Sequence, residues 1–360
     1  MTLPAAISSY EQVLIGNDPS VGLRAIVAVH STALGPALGG TRYVAYPDED
    51  AALRDVLDLA RAMTYKNALA GLPHGGGKAV IIGDPHTDKT PGLLLSYARL
   101  VASMQGAYVT AADVGTYVAD MDLIATVNPW TTGRSPEHGG CGDSGDLTAV
   151  GVHHALKAVA EHLWGSPSLA GRRVAIAGAG KVGGRLAGHV IDEGGRVLVA
   201  DVDPDAVARL RAAYPSVEVA DSADDLVEAD VDVLSPCALG HAITPEVAGR
   251  LTASAVCGAA NNQLAEPGLV DVLADRGVLF APDFLVNAGG VIAVGAEYAG
   301  RGRYDDAPAR ARARAIGVTL LDVLRRAEST GTTPLVAAER LAEERIAAAE
   351  PRPAFTSPES

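Results

Sequence analysis

The stretch RRVAIAGAGKVGGRLAGHVIDEGGRVLVAD, residues 172–201, decides the fold. An apolar run, 174–177, ends at a glycine turn, a helix-like segment follows, and a second apolar run, 197–200, stops on an acid. The turn holds glycines at 178, 180 and 183, a G-x-G-x-x-G with Ala179, Lys181 and Val182 between them. Alone the pattern is weak, but strand, glycines, helix and acid together are what a dinucleotide-binding βαβ unit needs. Gly178 permits the tight turn, Gly180 lets the backbone approach a pyrophosphate, and Gly183 lets helix and strand pack closely. The helix N-terminus offers amide donors and the positive end of its dipole to the phosphates. Asp201, 18 residues after Gly183, is placed to accept hydrogen bonds from the adenosine ribose. Its charge repels a 2′-phosphate, and Val202 and Asp203 follow it instead of an arginine, so NAD is expected over NADP.

Downstream, VDVLSPCA (231–238), SAVCGAANN (254–262) and VLFAPDF (278–284) are short apolar runs ending in small or polar residues. Strands alternating with helices predict a doubly wound parallel sheet. After residue 306 the pattern is helical, and 351–360 reads as a disordered tail. Upstream, LRAIVAV (23–29) reads as a strand and residues 48–71 as an amphipathic helix with acids at its start and Gly71 at its end. KAVIIG (78–83) is a short buried strand, 91–106 a helix and 107–115 a further strand. TTGRSPEHGGCGDSGD (131–146), rich in Gly, Ser and Pro, reads as a linker or hinge. The expected architecture is therefore two-domain α/β. An N-terminal α/β domain spans 1–135, joined by the C-terminal helices of about 305–350, and a Rossmann-type doubly wound dinucleotide-binding domain spans 145–300.

Composition narrows the function. The 360 residues carry 29 Lys and Arg against 43 Asp and Glu, a net charge of −14, which argues against nucleic acid or anionic membranes as partners. No apolar stretch is long enough to span a bilayer, and a cytoplasmic protein is expected. Three widely spaced cysteines and nine scattered histidines predict neither a disulfide framework nor a metal site.

GLPHGGGKAV (71–80) raises a second question. It is no P-loop: the position six before Lys78 is Leu72, and Ala79 follows the lysine where a hydroxyl is required. Lys66 lies twelve residues upstream at a helix end, and Asp113 closes the strand in TAADVGT. Taken singly, each lysine reads as a surface charge and Asp113 as a turn acid. Together, beside an NAD fold, two lysines and a carboxylate suit an amino acid or oxo acid. One ammonium would pair with the substrate carboxylate; the other, crowded and desolvated, would serve as general base.

GPALGGTR (35–42), ARAMTYKNALAGLPHGGGKAVIIGDP (60–85), TAADVGT (110–116), DMDLIA (120–125), PCALG (236–240), GAANNQLA (258–265), APDFLVNAGGVIAV (281–294) and AERLAEERI (338–346) stand in one order. With GAGKVGG, they make the chain resemble the glutamate/leucine/phenylalanine/valine dehydrogenase family, in its branched-chain and aromatic branch, from about residue 20 to about 350. The resemblance implies NAD-dependent oxidative deamination of an amino acid to a 2-oxo acid and ammonia, in a homo-oligomer of two or more subunits. It implies Lys66 on the substrate carboxylate, Lys78 as the acid–base that activates water, and Asp113 as the proton shuttle at the amino nitrogen. The glycines before Lys78 would let the backbone sit tight against the substrate. Asn262 would hold substrate beside nicotinamide in a cleft that closes between the domains. Arg42, Thr148, Cys237, Ala238, Ala260 and Asn261 match positions near the cofactor. Leu38, Gly39, Gly40, Met63, Ala111, Gly290, Val291 and Val294 match positions around the substrate. Departures are Gly145-Asp146, where relatives often carry serine and an aromatic residue, and His74, where a small or apolar residue is usual.

Leu38 replaces the lysine of glutamate-specific relatives, and burying an unpaired carboxylate beside it would be costly. Glutamate is thus disfavoured. Two valines narrow the pocket toward valine, leucine or isoleucine, whereas GLPHGGGK and the hinge look closer to the aromatic-specific branch. A neutral aliphatic substrate is the expectation, with an aromatic-specific enzyme and a catalytically silent NAD-binding protein as alternatives.

Overall fold

Leu23–Ser31 alternates its side chains between two apolar layers, and that alternation builds the first of two compact units. The computed structural model describes residues 7–238, 240–301 and 303–349. The tail expected at 351–360 lies outside the described residues. Contacts divide the chain into two units. The first comprises the described residues up to 144, with 291–309 and 342–349; the second comprises 145–290 and 310–341.

In the first unit the strands are β1 (Gln12–Asp18), β2 (Leu23–Ser31), β3 (Ala37–Val44), β4 (Gly75–Ile82) and β5 (Tyr108–Ala112), in sheet order β1-β2-β4-β3-β5. β1, β2 and β4 pair antiparallel; β4, β3 and β5 pair parallel. Ile26 and Ala28 face helix α1 (Glu49–Leu69) through Val56 and Ala60. Leu23, Ala25, Val27 and Val29 face α2 (Pro91–Ala102) and α3 (Val118–Ala125) through Leu93, Tyr97, Met121 and Ile124. Each such buried aliphatic side chain stabilises the unit by about 1.5–3 kcal/mol relative to exposure. α1 starts where the Asp48 carboxylate accepts from the Ala51 amide, and ends before Gly71, which sits at φ 64°.

The glycine run does not form a loop. Gly75, Gly76 and Gly77 open β4, and all three are buried. Packing within the protein requires glycine at two of these positions. A Cβ on Gly76 would lie 2.1 Å from the Thr64 nitrogen of α1, and one on Gly75 would lie 1.9 Å from the Ser31 carbonyl oxygen of β2. Helix and strands approach closely because nothing separates them. Nor is 131–146 a free linker: Thr131, Thr132 and Gly133 are buried, Thr131 bridges Thr110, and Pro136–His138 forms a 3₁₀ turn.

The second unit carries β6 (Arg173–Ala177), β7 (Arg196–Ala200), β8 (Glu218–Val219), β9 (Val233–Pro236), β10 (Ala255–Val256) and β11 (Leu279–Phe280). They form one all-parallel sheet in the order β11-β10-β9-β6-β7-β8. Read from β8, this is the third-second-first-fourth-fifth-sixth order of a Rossmann sheet, with its switch point between β6 and β9. Helices α4 (Gly145–Trp164), α5 (Gly183–Asp192), α6 (Pro204–Ala213), α7 (Pro245–Arg250), α8 (Leu269–Asp275) and α9 (Asp283–Val286) connect and flank these strands. They are followed by α10 (Gly289–Ala299), α11 (Asp306–Thr330) and α12 (Pro334–Ala347).

The C-terminal helices were expected to join the first unit over about 305–350, and here the structure differs: 310–341 groups with the second. Small residues cause this. A Cβ on Gly317 of α11 would lie 2.5 Å from the His154 carbonyl oxygen of α4, and one on Gly151 of α4 would lie 2.6 Å from Ile316 Cδ1. The Arg310–Asp146 ion pair ties the same two helices. Among the described residues, no helix is long and apolar enough to cross a membrane.

Gly76→Ala is expected to destabilise the protein by about 3 kcal/mol, the upper range of overpacking costs, because the Thr64 backbone cannot retreat. Gly249→Ala, in α7 with nothing within 4 Å of the added carbon, should be neutral or stabilising by about 0.5–1 kcal/mol. Urea unfolding of both variants measures the contrast; equal effects would refute the packing account.

Candidate active site

Parallel pairing of β4, β3 and β5 brings Lys78, Arg42 and Asp113 to one place. Lys78, in mid-strand, is only 5% exposed. Its Nζ lies 2.6 Å from Asp113 Oδ2, and Arg42 Nε donates to the same oxygen at 3.3 Å. The Asp113 backbone is fixed as well: its amide donates to Thr116 Oγ1, whose hydroxyl hydrogen-bonds the Thr41 carbonyl at 2.8 Å. Burial pushes the Asp113 carboxyl up, but the charges of Lys78 and Arg42 outweigh it and hold the group at about 2. The cluster can therefore present an ionised carboxylate against a buried ammonium.

Among the predicted substrate positions of this unit, Gly39 and Gly40 lie next to the cluster. Gly40 lies against Asp113 and Ala112, and Gly39 against Gly77 and Met63. Lys66 occupies the last turn of α1, one turn after Met63 and half-buried. Its neighbour Asn67 anchors that turn, donating to the carbonyls of Leu38 at 3.1 Å and Gly75 at 2.6 Å. α10 packs apolar side chains against this unit. A Cβ on Gly295 would meet Leu72 at 3.3 Å and Leu38 at 3.6 Å, and one on Gly133 would meet Val294 at 3.7 Å and Ala111 at 4.0 Å. Leu38, Ala111 and Val291 are buried.

In the second unit the glycine turn has the shape a pyrophosphate requires. Gly178 adopts φ 110° at the end of β6, where a Cβ would lie 2.9 Å from that of Ala238 beyond β9. Gly183 opens α5 with its Cα against the Gly178 carbonyl, while at Gly180 an added Cβ would meet nothing within 4 Å. The turn therefore sits at the switch point with open space above its middle glycine, and Cys237 and Ala238 form the opposite lip. Asp201 follows β7 and braces the turn: Oδ2 accepts from the Ala179 amide at 2.5 Å and Oδ1 from the Asp203 amide at 2.8 Å. Each carboxylate oxygen keeps a second lone pair for a ribose hydroxyl. These residues fit a dinucleotide. Lys181 and Val182 lead from the turn into α5. Thr148, in the first turn of α4, packs against Gly289, the neighbour of Gly290. Asn261 Oδ1 accepts from Asn287 Nδ2 at 2.9 Å, which also reaches the Ala260 carbonyl. Asn262 is exposed at φ 51°, a left-handed conformation that non-glycine residues seldom hold without cause.

Three residues of the first unit escaped the sequence reading. Glu297 is fully buried in α10; it accepts from the amides of Gly133 at 2.8 Å and Cys141 at 3.0 Å, and pairs with Arg134 at 2.9 Å. An acid inside the apolar run GGVIAVGAEYA was the signal available. Asp55 and Tyr46 flank Arg42: Arg42 Nη1 lies 2.9 Å from Asp55 Oδ2, to which the Tyr46 hydroxyl also donates. Nothing in their sequence context marked them.

Two measurements follow. Because its folded pKa is depressed, Asp113 contributes stability above pH 4 that is lost as pH falls toward 2, about 2 kcal/mol in all. The unfolding free energy of Asp113→Asn should fall less steeply than wild type across that window; parallel curves would count against the ion pair. Glu297→Gln leaves Arg134 uncompensated and should cost about 3–5 kcal/mol, read by denaturant unfolding.

The description "Glu/Leu/Phe/Val dehydrogenase, dimerisation domain" fits residues 11–128, and "Glutamate/Leucine/Phenylalanine/Valine dehydrogenase" fits 199–352. The valine dehydrogenase of Streptomyces coelicolor is 54% identical over 345 residues, covering 96% of this chain and 94% of that one. The leucine dehydrogenase of Geobacillus stearothermophilus is 43% identical, covering 94% and 90%. The crystal structure of L-tryptophan dehydrogenase from Nostoc punctiforme superposes with a TM-score of 0.82 at 38% identity, covering 94% of this chain and 96% of that one. Two glycine-bearing sheets of this order, a buried lysine–aspartate pair and these likenesses along nearly the whole length have one explanation: the chain belongs to the glutamate/leucine/phenylalanine/valine dehydrogenase family, oxidoreductases acting on the CH–NH₂ group.

Proposed function

We propose that this enzyme catalyses the reversible NAD-dependent oxidative deamination of a neutral aliphatic L-amino acid, with valine the foremost substrate and leucine and isoleucine close to it. The observation that carries the reading is the buried Lys78–Asp113 pair at 2.6 Å beside the apolar wall of Leu38, Ala111 and Val294. Kinship supports valine, since the 54% identity to a valine dehydrogenase exceeds the 43% to a leucine dehydrogenase.

The residues divide the work. Lys66 pairs with the substrate carboxylate. Asp113 takes a proton from the substrate ammonium, so that Cα of the resulting amine can lose its hydride and leave an iminium. The 178–183 turn and Asp201 would hold NAD, which when bound would supply the hydride acceptor. Lys78, deprotonated for this step, removes a proton from water as its oxygen attacks the iminium carbon. The resulting carbinolamine breaks its C–N bond as Asp113 returns a proton to nitrogen and the hydroxyl oxygen releases its own proton to solvent while forming the carbonyl, giving the 2-oxo acid and ammonia. We infer for Asn262 the role of holding the substrate beside the nicotinamide. Asp201, ionised and followed by Val202, disfavours the 2′-phosphate of NADP.

Leu38 is fully buried and carries no charge to pair with a glutamate side chain, which beside it would be buried unpaired. The aromatic alternative rests on the likeness to a tryptophan dehydrogenase at TM-score 0.82. One methylene is worth about 1–3 kcal/mol in such a pocket, so several aliphatic substrates should turn over. The enzyme works as a homo-oligomer through its N-terminal unit, in keeping with the description its first segment matches. Its free cysteines, Cys141, Cys237 and Cys257, suit the reducing cytoplasm.

A panel of amino acids assayed for NADH formation at alkaline pH should rank valine, leucine and isoleucine above phenylalanine and tryptophan. An aromatic preference would reverse the assignment, and no signal from any of them would refute deamination. Lys78→Ala should abolish turnover with NAD affinity kept; loss of NAD binding would make the lysine structural instead.

A further inference from the structure

Arg42 is shared unequally between two carboxylates. Its Nη1 donates to both oxygens of Asp55, at 3.1 Å and 2.9 Å, whereas only Nε reaches Asp113, at 3.3 Å. The two acids stand on different elements, Asp55 in the second turn of α1 and Asp113 after β5, with Arg42 on β3 between them. Tyr46, from the connection between β3 and α1, donates its hydroxyl to Asp55 and fixes that carboxylate in turn. All these side chains are partly buried.

A guanidinium has a rigid fork, so donors engaged with one carboxylate are lost to another. Freed from Asp55, Arg42 would be able to turn its fork on Asp113 and grip it at both oxygens. A carboxylate gripped by a bidentate arginine as well as Lys78 accepts protons poorly, because each contact favours the charged form. We propose that Asp55, braced by Tyr46, is a positioning residue that holds Arg42 away from full engagement with Asp113, and so keeps Asp113 able to carry a proton. The inference rests on the reading of Asp113 as the proton carrier in deamination.

Double-mutant kinetics test it, with valine oxidation by the full-length enzyme as the assay. General acid–base groups carry about 10²–10⁴-fold in rate, and Asp55→Asn should forfeit about tenfold in kcat with KM for valine nearly unchanged. Asp55→Glu should recover most of that loss. Tyr46→Phe should lower kcat in the same direction by a smaller factor, which keeps the test open if Asp55→Asn folds poorly. Arg42→Gln is expected to lower kcat itself, because Arg42 helps hold Asp113, and the double mutants are read against its residual rate. In the Arg42→Gln background, neither Asp55→Asn nor Tyr46→Phe should lower kcat further, since both act through Arg42.

Equal losses with and without Arg42 would overturn the proposal. So would a change confined to KM or to melting temperature, or loss of all turnover in Arg42→Gln, which would make the arginine indispensable. Wild-type enzyme unable to oxidise any amino acid would remove the deaminase reading itself and the proposal with it; an active wild type with additive mutants would remove the proposal alone.

Discussion

Burying an ammonium inside a sheet is the constraint that the first unit is built around. A lysine that is 5% exposed stays charged only with a partner at contact distance, and the partner must be held there by something other than the lysine. Asp113 meets that need because Thr116 and Thr41 fix its backbone while Arg42 supplies a second positive charge. The surrounding glycines follow from the same constraint. β3, β4 and α1 must come close enough for short reach between their side chains, and Gly39, Gly76 and Gly77 are where backbones touch.

The second unit meets a different demand: the proposed dinucleotide site has to hold a diphosphate with few cations. Its answer is backbone: amides at the start of α5, an uncluttered middle glycine, and a carboxylate that braces the turn from β7. The crevice arises where strand order reverses between β6 and β9, since the connections on either side of that point depart in opposite directions. Ligand geometry is thereby set by topology, and individual side chains such as Cys237 and Ala238 need only be small.

Much of this was legible in the chain, for physical reasons that differ from place to place. Strand, glycines, helix and Asp201 lie within thirty consecutive residues, so local spacing is enough to reveal the Rossmann unit. Lys78 and Asp113 lie 35 residues apart, and their meeting depends on β3 entering the sheet between β4 and β5, a pairing that spacing alone does not give. The glycine run was read as letting the backbone sit tight against substrate, and the structure adds that Gly75 and Gly76 also pack against a strand and a helix; glycine marks close approach without saying to what. The stretch 131–146, read as a linker or hinge from its polar, small composition, contains the boundary between the units after residue 144, and a single acid 156 residues beyond Cys141 holds its first part in place, which composition does not reveal. Asp55 and Tyr46 were invisible for the opposite reason: an acid and a tyrosine at the start of an amphipathic helix belong on the surface by every local rule.

Glu297 has a consequence for substrate range. The helix that carries it also carries Val291 and Val294, and its carboxylate is bonded to three points of the 133–141 segment. In the proposed substrate site this helix forms one wall of the side-chain pocket, and those three bonds, like a rivet, resist its sliding outward for a bulkier guest. Room for larger or differently shaped amino acids must come from trimming individual side chains, such as Leu38 or Val294, one carbon at a time. Anyone breeding this enzyme for new substrates would do well to leave the rivet alone.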